Sequence, residues 1–73
     1  MRAAVLTVSD GVVAGTRQDT SGDVLEARLR AAGFELAGRR TVADERAHIA
    51  AALRELTAAA DLVLSTGGTG FAP

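Results

Sequence analysis

Residues 62–70 read Leu-Val-Leu-Ser-Thr-Gly-Gly-Thr-Gly, an apolar run that breaks directly into three glycines within four positions. A strand without polar alternation needs cover on both faces, a condition met chiefly in parallel sheets flanked by helices. The glycines after it let backbone N–H groups turn outward and approach an anion with no Cβ in the way. Open α/β sheets bind their ligands at such carboxyl-end turns. A second apolar run, residues 3–8, has the sequence Ala-Ala-Val-Leu-Thr-Val and reads as another buried parallel strand.

The remaining elements fall between these two strands. Residues 9–19 are polar and carry Gly11 and Gly15, which predicts a loop longer than most strand-to-helix connections. Ser21 stands where a helix N-cap belongs, with Asp23 in the first turn. Leu25, Leu29 and Ala32 follow at helical spacing, and Gly33 occupies the usual stop position. Residues 34–37 alternate, predicting a half-exposed strand that runs toward Thr41 or Val42 and is weakened at Gly38. Asp44 reads as the N-cap of a second helix, with Glu45 in its first turn and Ile49, Ala52, Leu53 and Leu56 on its buried face. Asp61 closes the connection to the third strand, residues 62–65.

The fold class is therefore α/β, a β-α-β-α-β parallel sheet with right-handed crossovers. Burial ranks the first and third strands as adjacent and central, with the second outside the first, a doubly wound order of 2-1-3. The loops after strands one and three then flank one crevice, and Asp44 joins them at the same rim. The third strand would be an open apolar edge if nothing covered it, and such edges recruit other chains. Residues 1–73 accordingly read as the N-terminal part of a single larger domain.

Composition removes several function classes. A chain of 73 residues buries only about 60% of its unfolded surface, and without cysteine it has no disulfide or thiolate zinc site to compensate. A net charge of −1 and the absence of Trp and Tyr argue against nucleic-acid binding. All eight basic residues are arginine, so the glycine loop is not a Walker A motif and no Schiff-base lysine exists. The N-terminal apolar run is too short for a signal peptide or a membrane span, making a cytoplasmic protein without membrane association the expectation. A dinucleotide-binding glycine motif should follow the first strand, and the spacing from Ser9 to Gly15 does not fit it.

Three segments together resemble the molybdopterin-binding MoaB/Mog family. Thr7-Val8-Ser9-Asp10, followed by Gly15, Asp19, Ser21 and Gly22, is similar to that family's Ser-Asp…Gly…Asp-x-Ser-Gly signature. Val42-Ala43-Asp44-Glu45 resembles the segment opening its second helix, and Thr66-Gly67-Gly68-Thr69-Gly70 resembles its Thr-Gly-Gly-Thr-Gly loop. Thr69 favours this branch over the related competence-damage proteins. The resemblance implies a doubly wound domain of roughly twice this length, usually a homotrimer, that binds molybdopterin. Mog-like members adenylylate the pterin phosphate with Mg²⁺ and ATP. By the same resemblance, Thr66, Gly67, Gly68, Thr69 and Gly70 hold the pterin or its phosphate. Asp44 takes part in catalysis through Mg²⁺, and Ser9, Asp10, Gly15, Asp19, Ser21 and Gly22 contribute to the nucleotide pocket. The family continues with an Arg-Asp-x-Thr-Pro segment holding a second catalytic carboxylate, which lies beyond Pro73.

Each candidate has a plainer reading beside the functional one. Gly67, Gly68 and Gly70 serve a ligand or a tight connection, and Thr69 serves a phosphate or caps the next element. Asp44 is a metal-binding carboxylate or an ordinary helix cap. Ser9 and Asp10 are ligand contacts or loop structure, and Asp19 and Ser21 fit helix capping. His48, four residues beyond Asp44, suits a boundary position better than a metal site. The pairs Arg28/Arg30 and Arg39/Arg40 read as solvated, with Arg39/Arg40 a weak candidate for assisting an anion. Two functions follow: an adenylyltransferase-like enzyme part, or a module that binds the pterin phosphate without transfer.

Overall fold

The structure is a computed structural model that describes residues 1–15 and 18–67. Its elements are β1 (Arg2–Val8), α1 (Asp10–Val13), α2 (Thr20–Ala31), β2 (Glu35–Val42), α3 (Arg46–Ala59) and β3 (Leu62–Gly67). All strand pairings are parallel and the spatial order is β2-β1-β3, as the apolar runs require. Because β2 and β3 lie on opposite sides of β1, right-handed crossovers place α2 and α3 on opposite faces of the sheet.

β1 is the hub, with every residue from Ala3 to Val8 no more than 6% exposed. Its alternating side chains supply both cores. Ala4, Leu6 and Val8 pack with Ala52 and Leu56 of α3, while Ala3 and Val5 pack with Leu29 of α2. Burial of side chains the size of Leu6 and Val5 contributes about 1.5–3 kcal/mol each, so the unbroken apolar run explains the central placement. At the amino end, Arg2 N–H donates to the Asp61 carboxylate at 3.1 Å and Asp61 N–H donates to the Arg2 carbonyl at 2.9 Å.

Several local expectations are corrected. Residues 9–19 hold the four-residue helix α1, because the Ser9 hydroxyl accepts from Val12 N–H at 3.3 Å. The N-cap of α2 is Asp19, not Ser21: its carboxylate accepts from Gly22 N–H at 3.1 Å, three residues on, where a cap has its reach. Asp44 does not cap α3. Glu45 holds that position without a side-chain cap, while Asp44 N–H is claimed by Asp10 Oδ1 at 2.9 Å, outside the helix. Ala32, expected on the buried stripe, is exposed as the C-cap of α2, while Gly33 follows it at φ +91° in the stop position read from the sequence. Leu53 is 37% exposed, so the buried stripe of α3 is narrower than its leucines suggest. In β3, Leu62 is 36% exposed and Val63 and Leu64 are half-buried, since β3 pairs with β1 alone among the described residues.

β2 contains a break in register that decides which way its arginines face. Ala3 pairs with Leu36 but Ala4 pairs with Gly38, so Ala37 is the extra residue of a bulge. The bulge reverses the alternation, and Gly38 falls on the α3 face, where a Cβ would lie 3.2 Å from Leu56 Cδ2. Gly38 therefore fits the strand to the helix above it, and the strand continues to Val42. Arg39, paired with Val5, faces α2, and Arg40, paired with Leu6, faces α3, where it meets Glu55. Among the described residues no helix is long and apolar enough to cross a membrane.

Candidate functional site

The carboxyl ends of β1 and β3 lie side by side, with Thr7 paired to Thr66 and Val8 to Gly67. Gly67 has φ +88°, and a Cβ there would collide with the Val8 carbonyl oxygen. Only glycine allows the chain to turn this close to β1. Above this edge opens a cleft of about 700 Å³. Its walls are Ser9 to Val12 of the α1 segment, residues 18–21 at the start of α2, Asp44, and Thr66 with Gly67.

Of the residues expected at the site, Ser9, Asp10, Asp19, Ser21, Asp44, Thr66 and Gly67 are brought together here. Gly15 is placed elsewhere, at φ +81° just past α1, where its N–H donates to the Val12 carbonyl at 3.1 Å. Gly22 sits buried behind the lining, in the first turn of α2. Gly68, Thr69 and Gly70 lie outside the described residues. His48 turns to Glu45, with Nδ1 3.3 Å from Oε2.

The site mixes committed and uncommitted polar groups. Ser9 uses its hydroxyl as the α1 cap, and its N–H donates to the Val42 carbonyl at 2.9 Å. Asp10 ties the turn after β1 to the turn after β2 through Asp44 N–H. The Asp44 side chain is exposed and makes no hydrogen bond among the described residues. The first-turn N–H groups of α2 point toward the cleft end of the helix, carrying the positive end of its dipole.

Behind the lining lies a polar network that spacing alone did not reveal. The Arg39 guanidinium reaches the Asp19 carboxylate at 2.8 Å through Nη2, Asp23 at 2.8 Å through the same nitrogen, and Glu26 at 3.0 Å through Nη1. The Thr7 hydroxyl, itself 3% exposed, donates to the Asp19 carboxylate at 2.9 and 3.1 Å. Burial alone pushes the Asp19 carboxyl up, but hydrogen bonds from Arg39, Thr7 and Gly22 N–H, with the Arg39 charge, outweigh it and hold the group below its ordinary value. Hydrogen bonds from Arg39 and Arg30 likewise hold Glu26 low, and the bonds to Asp19, Asp23 and Glu26 push the Arg39 guanidinium up. Asp19 is thus a neutralised cap with two anchors. Thr7 carried a readable signal, since a hydroxyl in a buried apolar strand requires a partner. Arg39 did not, because the bulge at Ala37 hides its face.

Comparison with known proteins gives this geometry a family. Residues 4–73 match the family model described as "Probable molybdopterin binding domain". The chain belongs to the molybdopterin-binding domain family. It is 41% identical over 73 residues to a CinA-like protein of Citrifermentans bemidjiense, covering 100% of this chain and 18% of that protein. It is 42% identical over 72 residues to a molybdenum cofactor biosynthesis bifunctional protein of Synechococcus elongatus, covering 97% and 23%. Among solved structures, it matches the protein CinA from Thermoplasma acidophilum with TM-score 0.91 and 29% identity, over 94% of this chain and 41% of that one. It matches the tungsten cofactor synthesizing protein MoaB from Pyrococcus furiosus with TM-score 0.85 and 36% identity, over 94% and 43%. The chain therefore spans about a fifth of these two curated relatives and less than half of either solved chain. Both branches weighed through Thr69 are present among the matches, and Thr69 itself lies outside the described residues.

Proposed function

We propose that the protein carrying this segment binds the phosphate of molybdopterin in the 700 Å³ cleft and adenylylates it with Mg²⁺ and ATP. The observation that carries this reading is the convergence of the α2 N-terminus, the Thr66–Gly67 end of β3 and the Asp44 carboxylate, which has no partner among the described residues, on one cleft. Backbone N–H groups at a helix start and a glycine turn favour phosphate oxygens. Thr20, Ser21 and Thr66 add hydroxyls at the same rim.

The donor set fits Mg²⁺ in its usual mode with nucleotides, one or two carboxylates together with substrate phosphates. Asp44 is free to supply one, and Asp10 offers the oxygen not used by Asp44 N–H. Among the described residues no cluster of three or more acidic, His or Cys ligands exists, so in this reading substrate phosphates supply the rest of the shell. When bound, Mg²⁺ neutralises charge on the phosphates and orients the displacement. The chain's own part is to orient: the α2 first turn and the Gly67 end of β3 hold the phosphate, and Asp10 fixes the backbone that presents Asp44. Assembly as a homotrimer and cytoplasmic residence belong to the same reading.

The test supplies molybdopterin, ATP and Mg²⁺ to the protein and follows adenylylated pterin by mass spectrometry. Transfer is expected, and Asp44→Asn is expected to reduce it roughly tenfold to a hundredfold, the scale seen when a metal site loses a supporting group. Pterin affinity should hold and unfolding free energy should stay within about 0.5 kcal/mol, because the side chain is exposed. An unchanged rate would remove Asp44 from the chemistry. Pterin binding without ATP turnover would identify a non-catalytic binding module, a reading favoured because, among the described residues, Asp44 alone of the lining carboxylates makes no hydrogen bond.

A further inference from the structure

The acidic residues around the start of α2 pose an electrostatic problem for any anion in the cleft. Asp19 is on the lining, and Asp23 and Glu26 follow on the same helix. Three carboxylates oppose an incoming phosphate, and a helix N-terminus carries only about half a positive charge. Arg39 touches all three, through Nη2 to Asp19 and Asp23 and through Nη1 to Glu26. Nη2 also donates to the Asp19 carbonyl at 3.3 Å. Arg30 reaches Glu26 as well, at 3.1 Å, but its side chain is 59% exposed against 25% for Arg39.

We propose that Arg39 is a positioning residue for the cleft: from behind the lining it cancels the α2 carboxylates and fixes the first turn, so that a phosphate group can occupy the helix start. This rests on the phosphate-binding reading above and names the residue on which that site's charge depends. Arg39 is not on the lining, so it acts through Asp19 and the helix and not by touching ligand. Three bonds from one planar fork require a guanidinium, since an ammonium is a single point charge on a flexible stem. Gly22 supports the assignment independently. A Cβ at this position would collide with the Asp19 carboxylate and lie 2.8 Å from Arg39 Nη2, so the glycine opens the space in which the two groups meet.

The experiment is calorimetric titration of the full chain with ATP as probe, at low and high ionic strength. Arg39→Gln is expected to weaken ATP about tenfold at low salt, with a smaller effect at high salt. Adding Asp23→Asn and Glu26→Gln to that variant should recover most of the loss, because the uncancelled charge is gone. Asp23→Asn/Glu26→Gln with Arg39 intact should tighten ATP about threefold, and this arm decides the question even if Arg39→Gln fails to fold. Arg39→Gln binding like the wild type, a loss that the acid-to-amide changes do not recover, or no tightening in the double variant overturns the proposal while leaving the phosphate site standing. A wild-type chain that does not bind ATP overturns the phosphate reading itself, and the proposal with it.

Discussion

At the scale of single residues, Gly67 and Gly33 separate two costs that glycine usually hides. Both have φ near +90°, but a Cβ at Gly33 meets nothing within 4 Å, whereas one at Gly67 strikes the Val8 carbonyl. Gly33→Ala should therefore cost only the left-handed strain, about 1 kcal/mol. Gly67→Ala should cost about 2–3 kcal/mol, because β3 must also move away from β1. Urea unfolding of the two variants measures the difference, and equal losses would mean that the Val8 contact is soft. Gly67 was legible as a glycine at a strand's carboxyl end, but the reason a glycine is needed there was not. That reason is a neighbour 59 positions away in the chain, Val8, which the register of β1 and β3 brings against it.

At the scale of elements, the start of α2 depends on Asp19 three times over. It caps Gly22 N–H, accepts from the buried Thr7 hydroxyl and pairs with Arg39. Asp19→Ala removes the cap and strands a buried hydroxyl, for an expected loss of about 2–4 kcal/mol in urea unfolding. A loss below about 1 kcal/mol would show that the three bonds are not made together. The three strands, α2, α3, their order and the 2-1-3 sheet were readable from apolar runs and helical spacing, whereas α1 was not. Helix starts were not, since Asp19, Ser21, Asp44 and Glu45 are all competent near an N-terminus, and tertiary bonds choose among them. Asp10, at the start of α1, holds Asp44 N–H outside α3, and α3 begins after its N-cap Glu45 without a side-chain cap.

For the whole molecule, the Arg39 network makes stability depend on acid in one direction. The folded pKa of Asp19 lies below its ordinary value, so the unfolded chain binds the proton more readily. The contribution is fully present above the unfolded value of about 4 and is lost as pH falls through the lower folded value. Chemical unfolding between about pH 2 and 5 should show wild-type stability falling with acid, and Arg39→Gln should show a shallower fall. Parallel slopes would mean that Arg39 does not hold Asp19 down. This coupling could not be read from composition, because a net charge of −1 gives no hint that one arginine gathers three acids. The bulge at Ala37 assigns Arg39 to α2, and it is visible only once β2 is laid against β1.

The reciprocal bonds between Arg2 and Asp61 sit at the opposite end of the sheet from the cleft. They fasten β1 to β3 away from the cleft, much as a spine holds the pages of a book. The pairing then runs unbroken from that fastening, Ala3 with Leu62, to Val8 with Gly67, so the distant clasp helps hold in register the strand ends that border the cleft.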